Sequence, residues 1–191
     1  MDDLADLIAD RSDRDGPAAG AAYCRELLDD LPSFASRAHV LVHLGDCCEM
    51  AGDAEGAEDA FREAVADGGA AFPDACSHLA AWLIRAGRAA EAEPLLAEFR
   101  AARPQDPSVY EYVAEGYEEA GDLAAATRWF TSGVLRLERV PGVTDRQLYY
   151  LLIGRWRVRK AQGLDEDEYD ELALELKDEV VADLRDGLGL D

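Results

Sequence analysis

The chain has 191 residues, 49% of them hydrophobic, enough to build a continuous core without disulfide or metal staples. It carries 41 Asp and Glu against 19 Lys and Arg, a formal net charge of −22. Such a field repels nucleic acid and anionic membrane surfaces and draws basic partners, although solubility alone also accounts for an acidic surplus.

No apolar run approaches the ~18 residues of a membrane helix. The acidic start Met1-Asp2-Asp3-Leu4 is unlike a signal peptide. Lys160 and Lys177 are the only lysines, which together with the abundant alanine suggests a high-GC bacterial genome. The cysteines Cys24, Cys47, Cys48 and Cys76 show neither a C-x-x-C pair nor a zinc-like spacing. Reduced thiols fit a cytoplasmic location. Cys24, Cys48 and Cys76 are expected in the core, with Cys47 pointing to another side of its helix.

Ala, Leu, Glu and Arg recur at helical spacing, and alternating strand patterns are nearly absent, so the expected fold class is all-α. Residues 1–32 read as a degenerate helical hairpin. Leu4, Leu7 and Ile8 form one stripe, Gly16-Pro17 the turn, and Ala21, Cys24, Leu27 and Leu28 the returning stripe. A second hairpin spans about 38–68, turning at Gly52-Asp53, with Asp53 as the helix cap. A third spans about 73–103, opened by Pro73-Asp74 and turning at Gly87. A fourth spans about 107–139 and turns at Gly121. The turn glycines are spaced by 87 − 52 = 35 and 121 − 87 = 34 residues, the period of stacked helix pairs. Ala57, Ala92 and Ala126 recur where the two helices of each pair must cross closely.

After a break at Val140-Pro141-Gly142, one helix is expected from Asp145 to about Gln162, stopped by Gly163. Asp165, with Glu168 three residues on, is the expected cap of a last acidic helix reaching about Asp186. The chain thus divides into a repeat array over 1–139, clear over 38–139, and capping helices over 140–191. The run Arg155-Trp156-Arg157-Val158-Arg159-Lys160 is the one basic cluster of the sequence. It is expected to pair with the acidic helix that follows rather than with nucleic acid. Trp156, with Tyr149, Leu152 and Ile153, is expected to pack on the fourth hairpin as a cap.

The period, with Leu44, Gly45, Cys48, Gly52, Ala57, Phe61 and Ala64 in one copy, and Leu79, Ala80, Leu83, Gly87, Ala92, Leu96 and Phe99 in the next, resembles the tetratricopeptide repeat. A third copy runs Val113, Ala114, Tyr117, Gly121, Ala126, Phe130 and Gly133. Departures are Leu41 for the usual Trp, Cys48 for the aromatic, and Gly69 where Pro is usual. The resemblance implies an α-solenoid whose concave wall is lined by the first helix of each pair, and a function in protein binding rather than catalysis. Carried over, the family's groove positions are His39, Val42, His43, Asp46 and Glu49, then Asp74, Ser77, His78, Ala81 and Ile84, then Ser108, Glu111, Tyr112, Glu115 and Glu118. Spacing by three and four residues places each set on one helical face.

Glu111, Glu115 and Glu118 form an acidic stripe, as do Asp46 and Glu49. Such stripes suit a basic or amphipathic segment of a partner protein, or they are solvated faces balanced by neighbouring arginines. The cation clamp with which some family members hold a chaperone's terminal carboxylate is missing: its places hold Val42, Asp46, His78, Ser108 and Tyr112. His39 and His43 lie four residues apart, a spacing open to a metal or to a pH-sensitive contact, but the sequence fixes no third ligand. No phosphate loop or nucleophile motif occurs, so neither an enzyme nor a cofactor is expected. The expectation is therefore an adaptor for a partner protein, with neither nucleic acid nor membrane as partner. The alternatives are a subunit self-associating through its C-terminal hairpin, and an acidic DNA mimic.

Overall fold

Every regular element among the described residues is a helix. The computed structural model describes residues 3–188, with side chains from 4 to 180, and among these it contains ten α-helices, one 3₁₀ helix and no strand. The helices are α1 (Asp3–Asp15), α2 (Pro17–Asp29), α3 (Arg37–Met50), α4 (Ala54–Asp67), α5 (Ala75–Arg85), α6 (Ala89–Ala102), α7 (Pro107–Glu119), α8 (Leu123–Leu137), α9 (Tyr149–Ala161) and α10 (Glu168–Leu188). The chain forms two compact units, Met1–Trp82 and Leu83–Asp191, divided within α5.

Local chemistry sets the helix ends. Gly52, Gly87 and Gly121 take φ of 78°, 74° and 83°, the left-handed exit that glycine makes at least cost. Asp53 accepts from the Gly56 amide at 3.0 Å, and Asp122 from the Ala125 amide at 2.9 Å, each satisfying a helix-start donor. Asp106 accepts from the Ser108 amide at 2.9 Å at the start of α7.

In the first unit α1, α2, α3 and α4 pack in succession. Helix α3 is covered by α2 on one side and α4 on another, so Val40, Leu41, Val42, Leu44, Cys47 and Cys48 are all buried. Cys47 therefore joins Cys24 and Cys48 in the core, contrary to the sequence expectation, while Cys76 is only half-buried. A Cβ on Gly45 would stand 2.4 Å from Phe61 Cε1, so this glycine lets α3 and α4 cross at ring contact.

In the second unit α7 packs on α8, and α9 packs on both. Ala92 and Ala126, like Ala57 in the first unit, are fully buried. The helix expected from Asp145 begins instead as a 3₁₀ turn, Asp145–Leu148, with Thr144 and Gln147 forming a capping box; α9 follows directly. Leu148, Leu151, Leu152 and Val158 make its buried face, whereas Tyr149, Ile153 and Trp156 are half-buried. Trp156 instead lies beneath two ammonium groups, Lys160 at 4.6 Å and Lys177 at 5.6 Å from its ring centre.

Asp167, not Asp165, starts α10. Its carboxylate accepts from the Tyr169 amide at 3.1 Å, and Asp170 reaches back to the Asp167 amide at 3.2 Å. The basic run does meet acid here. Arg155 pairs with Asp170 and Asp167, both at 2.6 Å, and Arg159 with Asp170 at 2.8 Å. The Arg155 guanidinium holds the Asp167 carboxyl down at about 2.

Candidate functional site

The fifteen groove positions carried over from the resemblance separate by burial. Val42, Ser77, His78, Ala81, Ile84 and Ser108 are buried. Helix α5 is buried from Ser77 to Ile84, on all of its faces, so it offers no open wall there. Asp74 is exposed, but it caps α5: its carboxylate accepts from the Cys76 amide at 2.9 Å and its carbonyl from the Ser77 hydroxyl at 2.6 Å. Ser108 Oγ likewise turns inward, donating to Asp106 at 2.6 Å. His39, His43, Asp46, Glu49, Glu111, Tyr112, Glu115 and Glu118 remain half-open to solvent.

In the first unit the histidines are drawn together by α3. His39 and His43 stack with ring centres 4.7 Å apart and their Nε2 atoms at 3.1 Å. His78 Nδ1 stands 3.3 Å from Asp46 Oδ1, and its ring stacks on Phe61 at 5.9 Å. Among the described residues no group of three or more His, Cys, Asp or Glu is placed to hold a metal ion. His43, Asp46 and Cys47 line a cavity of about 400 Å³ closed by Ile8, Ala9 and Ser12 of α1. Hydrogen bonds with Cys24 and Ser12 together bring the Cys47 thiol down to about 7, against the opposing effects of burial and the Asp46 charge. The same contact pushes Cys24 up.

In the second unit the α7 stripe meets one cation from the basic run. Arg157 clasps Glu118 through two bonds, at 2.8 and 2.6 Å, and reaches Glu115 at 3.7 Å. The sequence placed Arg157 with the acidic helix α10; the structure turns it to α7 instead. Glu111, one turn further from Arg157, is the most perturbed carboxylate of the stripe. Burial first, then the neighbouring Glu115 charge, push its carboxyl up to about 7. Burial also raises Glu115, with Glu118 and Glu119 adding to the effect and Arg157 opposing it. These desolvated carboxylates share a face, and neither is fully compensated within the unit.

Basic side chains also gather where the sequence showed no cluster. Arg100 and Arg103 from α6 and its C-terminal cap, and Arg128, Arg136 and Arg139 from α8 and just beyond it, line one pocket of about 660 Å³. The run at 155–160 is thus not the protein's single basic grouping. Arg128, Ser132, Leu135, Arg136 and Arg139 recur at spacings of three and four, a signal for one helical face that was present in the sequence.

No protein-family model matches the sequence, and no curated protein matches it.

Proposed function

We propose that this protein is a tetratricopeptide-repeat-like adaptor of the bacterial cytoplasm that binds a basic or amphipathic segment of a partner protein against the α7 carboxylates. The helical hairpins, their 34–35-residue period and the absence among described residues of any helix long and apolar enough to cross a membrane support this reading. The observation that carries it is the half-buried pair Glu111 and Glu115, both pushed toward neutrality by burial and by adjacent acids. A guanidinium or ammonium laid along the stripe would favour the ionised form of both and gain charge-assisted hydrogen bonds. Glu118 is already engaged by Arg157, so it serves the stripe as an anchor for α9 more than as a free acceptor.

The direct test is a titration of an arginine- and leucine-rich peptide into the wild type and into a variant carrying Glu111→Gln and Glu115→Gln. Binding should weaken at least tenfold in the variant, with its salt dependence flattened and its helical content unchanged. Equal affinity for the two proteins would refute the assignment of this face.

A further inference from the structure

The pocket of about 660 Å³ lined by α6, α7 and α8 has a composition opposite to that of the chain. Five arginines line it, with Phe99, Tyr110, Trp129 and Leu135 as apolar wall, and among the described residues no carboxylate lines it. Acids outnumber bases by 41 to 19, so cations brought together by chance would be expected to find carboxylate partners. Two do: Arg100 pairs with Glu93, and Arg139 approaches Glu138 at 3.8 Å. Among the described residues no carboxylate pairs with Arg103, Arg128 or Arg136. Arg136 Nε donates instead to the Arg103 carbonyl at 3.2 Å, which ties the two helix ends together.

Cations near a helix C-terminus complement its dipole, which accounts for Arg100 and Arg136 along their helices. It accounts neither for Arg128, two turns back on α8, nor for the convergence of all five on one cavity. Arg103 adds an independent sign. It takes φ of 50°, and every other described residue of positive φ is a glycine. A side chain therefore stands where glycine would be the unstrained choice. The floor is built rather than incidental: Trp129 and Tyr110 are 8% and 5% exposed, with ring centres 6.3 Å apart. Tyr110 donates to the Pro104 carbonyl at 3.1 Å, and the Arg100 guanidinium lies 5.8 Å above the Trp129 ring.

We propose that this pocket is a binding site for a small molecule carrying two or more phosphate groups. Planar guanidinium forks match phosphate oxygens bidentately, and several of them converging without a carboxylate call for more than one negative charge. The volume is that of a small-molecule site and exceeds what a single phosphate fills, and the aromatic wall suits an apolar or planar remainder.

The test is isothermal titration of the full chain with inorganic pyrophosphate, with a nucleoside diphosphate, and with a phosphoserine peptide. Saturable one-to-one binding of pyrophosphate or the nucleoside diphosphate is expected. Tighter binding of the nucleoside diphosphate would mean that the aromatic wall holds its planar part; equal affinities would mean that the phosphates alone are read. Arg103→Gly and Arg128→Glu should each weaken binding at least tenfold, whereas Arg11→Glu, on α1, should leave it unchanged. Arg103→Gly also separates ligand contact from folding, because it relieves the left-handed backbone and should not lower the unfolding midpoint. The proposal is overturned if neither small molecule binds saturably at millimolar concentration, if only the phosphoserine peptide binds, or if the two pocket variants bind as the wild type does.

Discussion

Replacing Glu111 by Gln should make the protein more stable at alkaline pH and leave it little changed in acid. The folded state raises this carboxyl from 4.5 to about 7, so it holds a proton over a range in which the unfolded chain has released it. For an acid raised in this way, stability is highest below the unfolded value and declines as pH rises through the interval up to about 7. At ~1.4 kcal/mol per pH unit the full interval amounts to ~3 kcal/mol, an upper figure for a half-buried side chain that still touches water. Gln carries no charge, so it removes both the burial cost and the repulsion from Glu115. The assay is urea unfolding of wild type and Glu111→Gln near pH 4.5, 6 and 8. The variant should exceed the wild type by about 1–3 kcal/mol near pH 8, or a few degrees in Tm, and by less than ~0.5 kcal/mol near pH 4.5. A variant no more stable than wild type near pH 8, or an advantage that grows toward acid, would refute the desolvation of Glu111.

Three further outcomes follow from contacts elsewhere. Asp170, 2% exposed at its side chain and shared by Arg155 and Arg159, should cost about 3 kcal/mol when changed to Asn, because two guanidinium groups lose their buried partner; thermal unfolding reads the loss. Gly154→Ala places a Cβ 2.4 Å from Phe130 Cε1 and should destabilise by about 1–3 kcal/mol as α9 shifts from α8, whereas an unchanged Tm would contradict the close crossing. Cys76, half-buried where the other three cysteines are buried, should be the first thiol alkylated; Cys47 should react more slowly, with a pH midpoint near the value of about 7 set by its hydrogen-bond partners, and Cys24→Ala removes the leading partner and should move that midpoint upward.

The features legible in the sequence were those fixed within a few residues. Gly52, Gly87 and Gly121 mark their turns through backbone conformation, and Asp53 and Asp122 mark helix starts through hydrogen bonds made on the spot. Asp167 displaced Asp165 as cap because a tertiary pair decides there: Asp170 must face Arg155 and Arg159, and that fixes the start of α10. Val42, Ser77, His78 and Ala81 were misplaced for a different reason. A carried-over groove position presumes a first helix with one open side, whereas α3 is covered by α2 as well as α4, and α5 is buried on all sides. The arginine pocket was not legible in the sequence, because its arginines come from two helices separated by 20 residues of chain and the positive φ of Arg103 appears only in the fold.

Cation binding on the α7 stripe is read most directly from the pH dependence of affinity for the arginine- and leucine-rich peptide, taken from about pH 5.5 to about pH 8 at fixed salt. A cation on the α7 stripe binds the ionised carboxylates, so it must displace the proton that Glu111 holds up to about 7. Affinity is expected to rise several-fold to tenfold across that range, with proton release on binding, and the rise should shrink in Glu111→Gln and vanish in the variant carrying Glu111→Gln and Glu115→Gln. Affinity that stays flat or falls with pH in the wild type, or a full rise that persists in the double variant, would rule out cation binding on this face.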